Sequence, residues 1–251
     1  MENDTNNIDS TVGRTVLPSN DGNTSRRRVL AASAVLGAGA AGVIPAASAD
    51  EHKDRKGEDK EEPADEEMAD EPPEAVANEF ENDIEILNFA RTLEFLEAEF
   101  YTQGIQNIDE GAFQQEFGHL GDIGDRVVNR LAVVRDHEIT HAEVLGQTVE
   151  LLGGEPVASP EFDFGTTVQN PAEFVATGAV LEDVGVSAYA GAAPFIQNAE
   201  LVPPALSIHS VEARHASFLR ELNGEIGFPM AFDQPRSRSE VLELASGFIV
   251  G

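Results

Sequence analysis

The sequence predicts an all-α domain, an antiparallel four-helix bundle built from two helical hairpins, with a short helix at its C-terminal end. Three observations predict it. From Asn82 onward, apolar residues recur at the three-and-four spacing of one helical face. The periodic stretches are bounded by capping residues on one side and by Gly or Pro on the other. The stretches also repeat in pairs, a helix with an inward Glu followed by a helix with an inward Glu-x-x-His.

Taken in order, Asn82 or Asp83 caps a first helix running to about Gln103, with Gly104 after it. Its inward stripe is Leu87, Ala90, Glu94, Ala98 and Tyr101; Glu97 lies near the stripe's edge, and Glu85 and Glu99 face away. The stretch holding Gly111, Gly118, Gly121 and Gly124 predicts no stable helix. A second helix runs from about Asp125 to Leu152 and is closed by Gly153-Gly154, with Leu131, Val134, Glu138, His141, Leu145, Val149 and Leu152 inward. Asn170-Pro171 is a cap and first-turn pair for the third helix. There Val175, Ala179, Glu182, Val186 and Tyr189 form the stripe, and Gly178, Gly185 and Gly191 predict close packing. Pro194 ends it, and Glu182-Asp183 at its middle argues against a membrane span. The fourth helix starts near Pro203-Pro204 and ends at Asn223-Gly224, with Ala205, Ile208, Glu212, His215, Leu219 and Leu222 inward. A short helix from about Arg238 to Ala245 follows from the capping-box spacing of Ser237 and Glu240.

The repeat carries chemistry. Glu94 precedes Tyr101 by seven residues, and Glu182 precedes Tyr189 by seven; Glu138-x-x-His141 matches Glu212-x-x-His215 in order, stripe position and flanking residues. Each Glu alone could be a solvated charge and each His a hydrogen-bonded core residue. Together, four carboxylates on core stripes need compensation, since burying even one ionised carboxylate without a partner costs several kcal/mol. Two divalent cations supply it, and a ligand set of oxygen and nitrogen without sulfur suits iron or manganese. Coordination positions left open would bind O2 or peroxide. Glu116-x-x-His119 repeats the spacing but falls in the Gly-rich stretch and is set aside. His137 next to Glu138, His209 one turn before Glu212, and the two tyrosines are candidates for hydrogen bonds to the ligands or for plain packing. Glu97 is the rival to Glu94 on the first helix, and the symmetry with Glu182 and Tyr189 favours Glu94.

Two Glu helices alternating with two Glu-x-x-His helices resemble the ferritin-like superfamily, which includes ferritins, rubrerythrins, bacterioferritins and dimanganese catalases. The wording Leu93-Glu94-Phe95-Leu96-Glu97-Ala98-Glu99-Phe100-Tyr101 is similar to the exported ferritin-like domain family that also contains desiccation-related proteins. The resemblance spans roughly Asn82 to Gly224. It implies a ferritin-like bundle with Glu94, Glu138, His141, Glu182, Glu212 and His215 as ligands of two iron or two manganese ions.

Composition and charge set the frame around this domain. The 251 residues hold 46 Asp and Glu against 16 Lys and Arg, a formal net charge of -30, and no Cys. Without Cys there are no disulfides, thiolate metal sites or thiol nucleophiles. Such a negative chain repels phosphate backbones and anionic lipid, so nucleic acid is not an expected partner, nor is a membrane for the mature protein. Few Lys and many acids resemble proteins of extreme halophiles. Residues 1–49 carry equal numbers of acids and bases, so the rest of the chain carries the whole -30. Within them, Arg26-Arg27-Arg28 precedes a short apolar run and Ala47-Ser48-Ala49, which resembles a twin-arginine export signal. Residues 50–81 read as a disordered acidic linker and 82–251 as the bundle domain. Three functions are expected from the constellation: an exported redox enzyme of the ferroxidase, peroxidase or manganese-catalase type; a metal binder without turnover; or a structural, stress-protective bundle. Pairing of two copies through an exposed helix face is a further expectation.

Overall fold

The computed structural model describes residues 72–250. The segment expected to be an export signal and the acidic residues up to 71 lie outside the described residues.

Six α-helices form among the described residues, and four of them open on a side-chain cap. Helix α1 (Asp83–Asn107) opens with the Asn82 side chain accepting from the Glu85 amide at 3.1 Å. Helix α2 (Glu110–Phe117) is capped by Asp109, and α3 (Val127–Leu151) closes at Gly153, whose φ of 81° suits the left-handed stop. Helix α4 (Pro171–Ala192) starts with Asn170 accepting from the amides of Ala172 and Glu173, and a single turn through Pro194 ends it. Helix α5 (Val202–Leu222) follows, and α6 (Arg238–Ala245) carries the full Ser237–Glu240 capping box. A two-residue antiparallel pairing joins β1 (Glu161–Phe162) to β2 (Ile249–Val250).

Packing makes two hairpins, α1 with α3 and α4 with α5, which meet along α1 and α4. Cross-helix contacts fix the directions. Asn88 near the start of α1 reaches residues 155 and 157 beyond the end of α3, while Glu94 meets His141. Gly104 near the end of α1 touches Phe174 at the start of α4, and Glu94 meets Tyr189 near its end. Both α3 and α4 therefore run antiparallel to α1, and the segment from 152 to 170 crosses the length of the bundle between them. Arg91 secures that crossover, donating from Nε to the Ala142 carbonyl at 3.0 Å and from Nη1 to Val157 at 2.6 Å.

Helix α4 is the central element, with most of its residues buried. Its glycines are where neighbours come closest: Gly178 against Leu219 and Phe100, Gly185 against two carboxylates, and Gly191 against the Arg236 backbone. An aromatic cluster of Phe100, Tyr101, Phe113, Phe164 and Phe174 fills one end of the bundle, with Phe100 stacked on Phe174 at 4.7 Å between centroids. No described helix is long and apolar enough to cross a membrane.

Two local expectations need correction. Helix α1 continues through Gly104 to Asn107, because the glycine is an interior contact and not a stop: a Cβ there would stand 2.1 Å from the Phe174 ring. The Gly-rich stretch does form a helix, α2, since Asp109 caps it and Phe113 and Phe117, one turn apart, bury against the core. The β1–β2 pairing adds a small strand contact to an otherwise helical domain. Packing against the bundle also begins before residue 82. Phe80 packs on Phe89 at 5.4 Å, and Glu79 accepts from the amide and hydroxyl of Ser239.

Candidate metal centre

Half-way along the bundle, the helices bring together all six residues singled out from the sequence. Helix α1 supplies Glu94, α3 supplies Glu138 and His141, α4 supplies Glu182, and α5 supplies Glu212 and His215. The i, i+3 spacing on α3 and α5 sets each Glu and His on one helical face, so both side chains reach one cluster. Glu138, Glu182 and Glu212 are 0 % exposed and Glu94 is 1 % exposed.

Their donor atoms fall into two overlapping groups. Glu94, Glu138, His141 and Glu212 form the first; Glu138, Glu182, Glu212 and His215 form the second; within each group one atom per residue lies within 4.8 Å of all the others. Glu138 and Glu212 belong to both. His141 Nδ1 stands 3.0 Å from Glu138 Oε2, 3.1 Å from Glu212 Oε1 and 3.2 Å from Glu94 Oε2. His215 Nδ1 stands 2.9 Å from Glu138 Oε1 and 3.3 Å from Glu182 Oε2. Glu138 thus offers one oxygen to each group.

These atoms are close without being well paired. A single imidazole N–H cannot satisfy three carboxylates. Both oxygens of Glu212, Glu138 Oε1, Glu182 Oε2 and His215 Nδ1 are buried with no hydrogen-bond partner among the described residues. No Arg or Lys forms an ion pair with these carboxylates among the described residues. Buried polar atoms left unpaired are costly, yet here they converge from four helices on common points. Oxygen and nitrogen donors converging in this way fit metal ions, with the carboxylates supplying the compensating charge. The buried Glu and His cluster is therefore compatible with a metal site.

The residues around the cluster hold it in shape. Tyr101 on α1 donates to Glu182 Oε1 on α4 at 2.5 Å, and Tyr189 on α4 donates to Glu94 Oε1 on α1 at 2.5 Å. Each tyrosine serves the Glu of the other hairpin and not the one seven residues before it in its own helix. Burial, followed by the neighbouring carboxylates, raises both phenols well above their ordinary pKa, so both remain proton donors. His137 bonds no carboxylate; its Nδ1 lies 3.0 Å from His215 Nε2, leaving His215 Nδ1 facing Glu138 and Glu182. His209 stands apart from the carboxylates, beside Tyr189, Pro194 and Leu206, with a buried unpaired Nε2. Glu116 and His119 are exposed and outside the cluster. Spacing puts Glu97 at the edge of the α1 stripe, as a rival to Glu94. It is instead a fifth buried carboxylate beside the four, 3 % exposed, and its i, i+3 spacing from Glu94 is the signal that marks it.

Electrostatics divide the cluster. Burial, opposed by His141, holds Glu94 at about 7, and burial also raises Glu97, Glu182 and Glu212. Burial would raise Glu138 too, but the close approach of the His141 and His215 rings outweighs it and brings it down to about 2. Burial works against the charged form of His215, and its contacts with Glu138 and Glu182 overcome this and push it up to about 9. A carboxyl group with a raised folded-state pKa takes up protons on folding, so stability falls as pH rises from the ordinary 4.5 to about 7. A raised histidine contributes stability that is complete below 6.5 and lost towards about 9. Glu138 acts in the opposite sense, losing its contribution only between 4.5 and about 2. The metal-free protein should therefore lose several kcal/mol between about pH 5 and pH 9. Urea unfolding midpoints in the presence of a chelator read this directly, and a midpoint that rises with pH across that range would contradict it.

The family model described as a ferritin-like domain matches residues 82–225, more than half of the chain. A search of curated proteins finds none that matches it.

Proposed function

We propose that this chain, which belongs to the ferritin-like domain family, binds two iron or two manganese ions through Glu94, Glu138, His141, Glu182, Glu212 and His215 and uses them for oxidation or peroxide chemistry. The observation that carries this reading is the convergence of buried, unpaired carboxylate and imidazole atoms into two groups that share Glu138 and Glu212. Shared carboxylates suit two neighbouring ions, and Glu138 turns Oε2 towards His141 and Oε1 towards His215. When bound, such ions would supply electron exchange with O2 or peroxide, which no side chain of the cluster provides.

The chain's own residues support that chemistry by holding and screening. Tyr101 and Tyr189 fix the orientation of Glu182 and Glu94, and His137 holds the ring of His215. An apolar cavity of about 60 Å³ lies between Ala90, Leu93, Leu145, Ala188, Ile208 and Tyr189. That volume holds a few small molecules, and its walls favour uncharged ones such as O2. Tyr189 borders this cavity and also bonds Glu94. Export by the twin-arginine route is our reading of Arg26-Arg27-Arg28 and the apolar run after it, and a folded, metal-loaded protein is a cargo that route accepts.

The test is to load the purified protein with Fe(II) or Mn(II) without oxygen, then measure bound metal, oxygen uptake and peroxide disproportionation. About two ions per chain and turnover with one oxidant support the reading. Two ions without turnover would make the protein a metal binder, and loss of all binding capacity would overturn the proposal.

A further inference from the structure

Glu97 stands out among the buried carboxylates. The other four each have a histidine or tyrosine within hydrogen-bonding distance. Glu97 is 3 % exposed and makes no side-chain hydrogen bond or ion pair among the described residues. Its electrostatic neighbours are Glu182, Glu212, Glu94 and Glu138, all of the same sign. A carboxylate in such a place is tolerated only with a proton or a cation beside it.

The backbone opposite makes room for it. A Cβ on Gly185, in the middle of α4, would stand 3.1 Å from Glu97 Oε1 and 3.4 Å from Glu212 Oε2. The two carboxylates thus share the space that the glycine leaves, one from α1 and one from α5. Glu212 belongs to both compact donor groups, whereas Glu97 belongs to neither. A turn of its side chain beneath Gly185 carries Glu97 towards the ions that Glu212 would bridge.

We propose that Glu97 is a fifth carboxylate ligand of the metal pair, binding over Gly185 on the Glu212 side; this rests on the two-ion reading above. Four carboxylates balance two divalent ions, and a fifth balances one further positive charge. Glu97 therefore favours the state in which one ion has become trivalent.

The test compares the wild-type protein with Glu97→Gln, a substitution of nearly equal shape that removes the charge and weakens the ligand. Titration with Co(II) reports affinity, stoichiometry and, through the visible absorption of the bound ion, its coordination. The wild type should bind about two ions. In Glu97→Gln, one of the two should bind on the order of 10–100-fold more weakly, with an altered absorption spectrum. Loaded with iron, the variant should show a higher reduction potential than the wild type. Gly185→Ala, which pushes Glu97 aside, should shift the same spectrum in the same direction. A Glu97→Gln protein that binds two Co(II) ions with wild-type affinity, spectrum and potential would overturn the assignment while leaving the two-ion site standing. A wild-type protein that binds no metal would overturn both. Thermal melts of the metal-free variants check folding, and Glu97→Gln should melt no lower than wild type because it relieves repulsion.

Discussion

Saturating the protein with Mn(II) or Fe(II) should raise its thermal midpoint by on the order of 15–30 °C. The estimate follows from linkage. An ion that binds only the folded state at about 1,000 times its dissociation constant adds about 4 kcal/mol, and two such ions add about 8. For a folded region of 150–250 residues, each kcal/mol moves the midpoint by about 2–4 °C. The size of the effect reflects what the ions relieve: five buried carboxylates at one level of the bundle, with His141 and His215 the only basic side chains paired with them among the described residues. Differential scanning calorimetry with and without a chelator measures it, and a midpoint that does not respond to either metal would exclude a folded-state site.

Glu138→Ala should have the largest effect of any single substitution in the cluster, both with and without metal. Glu138 is the one carboxylate of the cluster held well below its ordinary range, because the rings of His141 and His215 both stand against it, at 3.0 and 2.9 Å. Removing one partner of a buried charge pair costs about 3–5 kcal/mol, since the charge left behind stays uncompensated. In the metal-loaded protein the same change removes an oxygen from each donor group, so the stabilisation by metal should vanish as well. Glu212→Gln provides a contrast of sign. Both oxygens of Glu212 lack partners, and burial together with Glu94 and Glu182 opposes its charge. Neutralising it should leave the metal-free protein as stable as wild type or more so, while weakening metal binding. Equal destabilisation by the two substitutions in the metal-free state would contradict this division of roles.

Much of this was legible in the sequence because helical periodicity determines which face a residue occupies. Glu94, Glu138, His141, Glu182, Glu212 and His215 all fall on apolar stripes, and the structure brings all six together at one level. Asn82, Asn170, Gly153 and the Ser237–Glu240 box marked helix ends through local hydrogen bonding and backbone conformation. What periodicity does not carry is the partner across the helix interface. Tyr101 pairs with Glu182 and Tyr189 with Glu94, an exchange between hairpins that spacing within one helix does not reveal. His137 finds His215 for the same reason. Gly104 reads as a helix stop until Phe174 is seen lying against it. Helix α2 is hidden because Gly111 lies inside it and Gly118, Gly121 and Gly124 follow it closely, while the burial of Phe113 and Phe117 that offsets the glycine is a tertiary effect.

Electron paramagnetic resonance of the Mn(II)-loaded protein tests most directly whether two ions share one set of ligands. Two ions held by donor groups that share Glu138 and Glu212 should give the spectrum of an exchange-coupled pair, with about two Mn(II) per chain and no coupled signal in Glu138→Ala. A spectrum of isolated Mn(II) at one ion per chain, unchanged by Glu138→Ala, would contradict it.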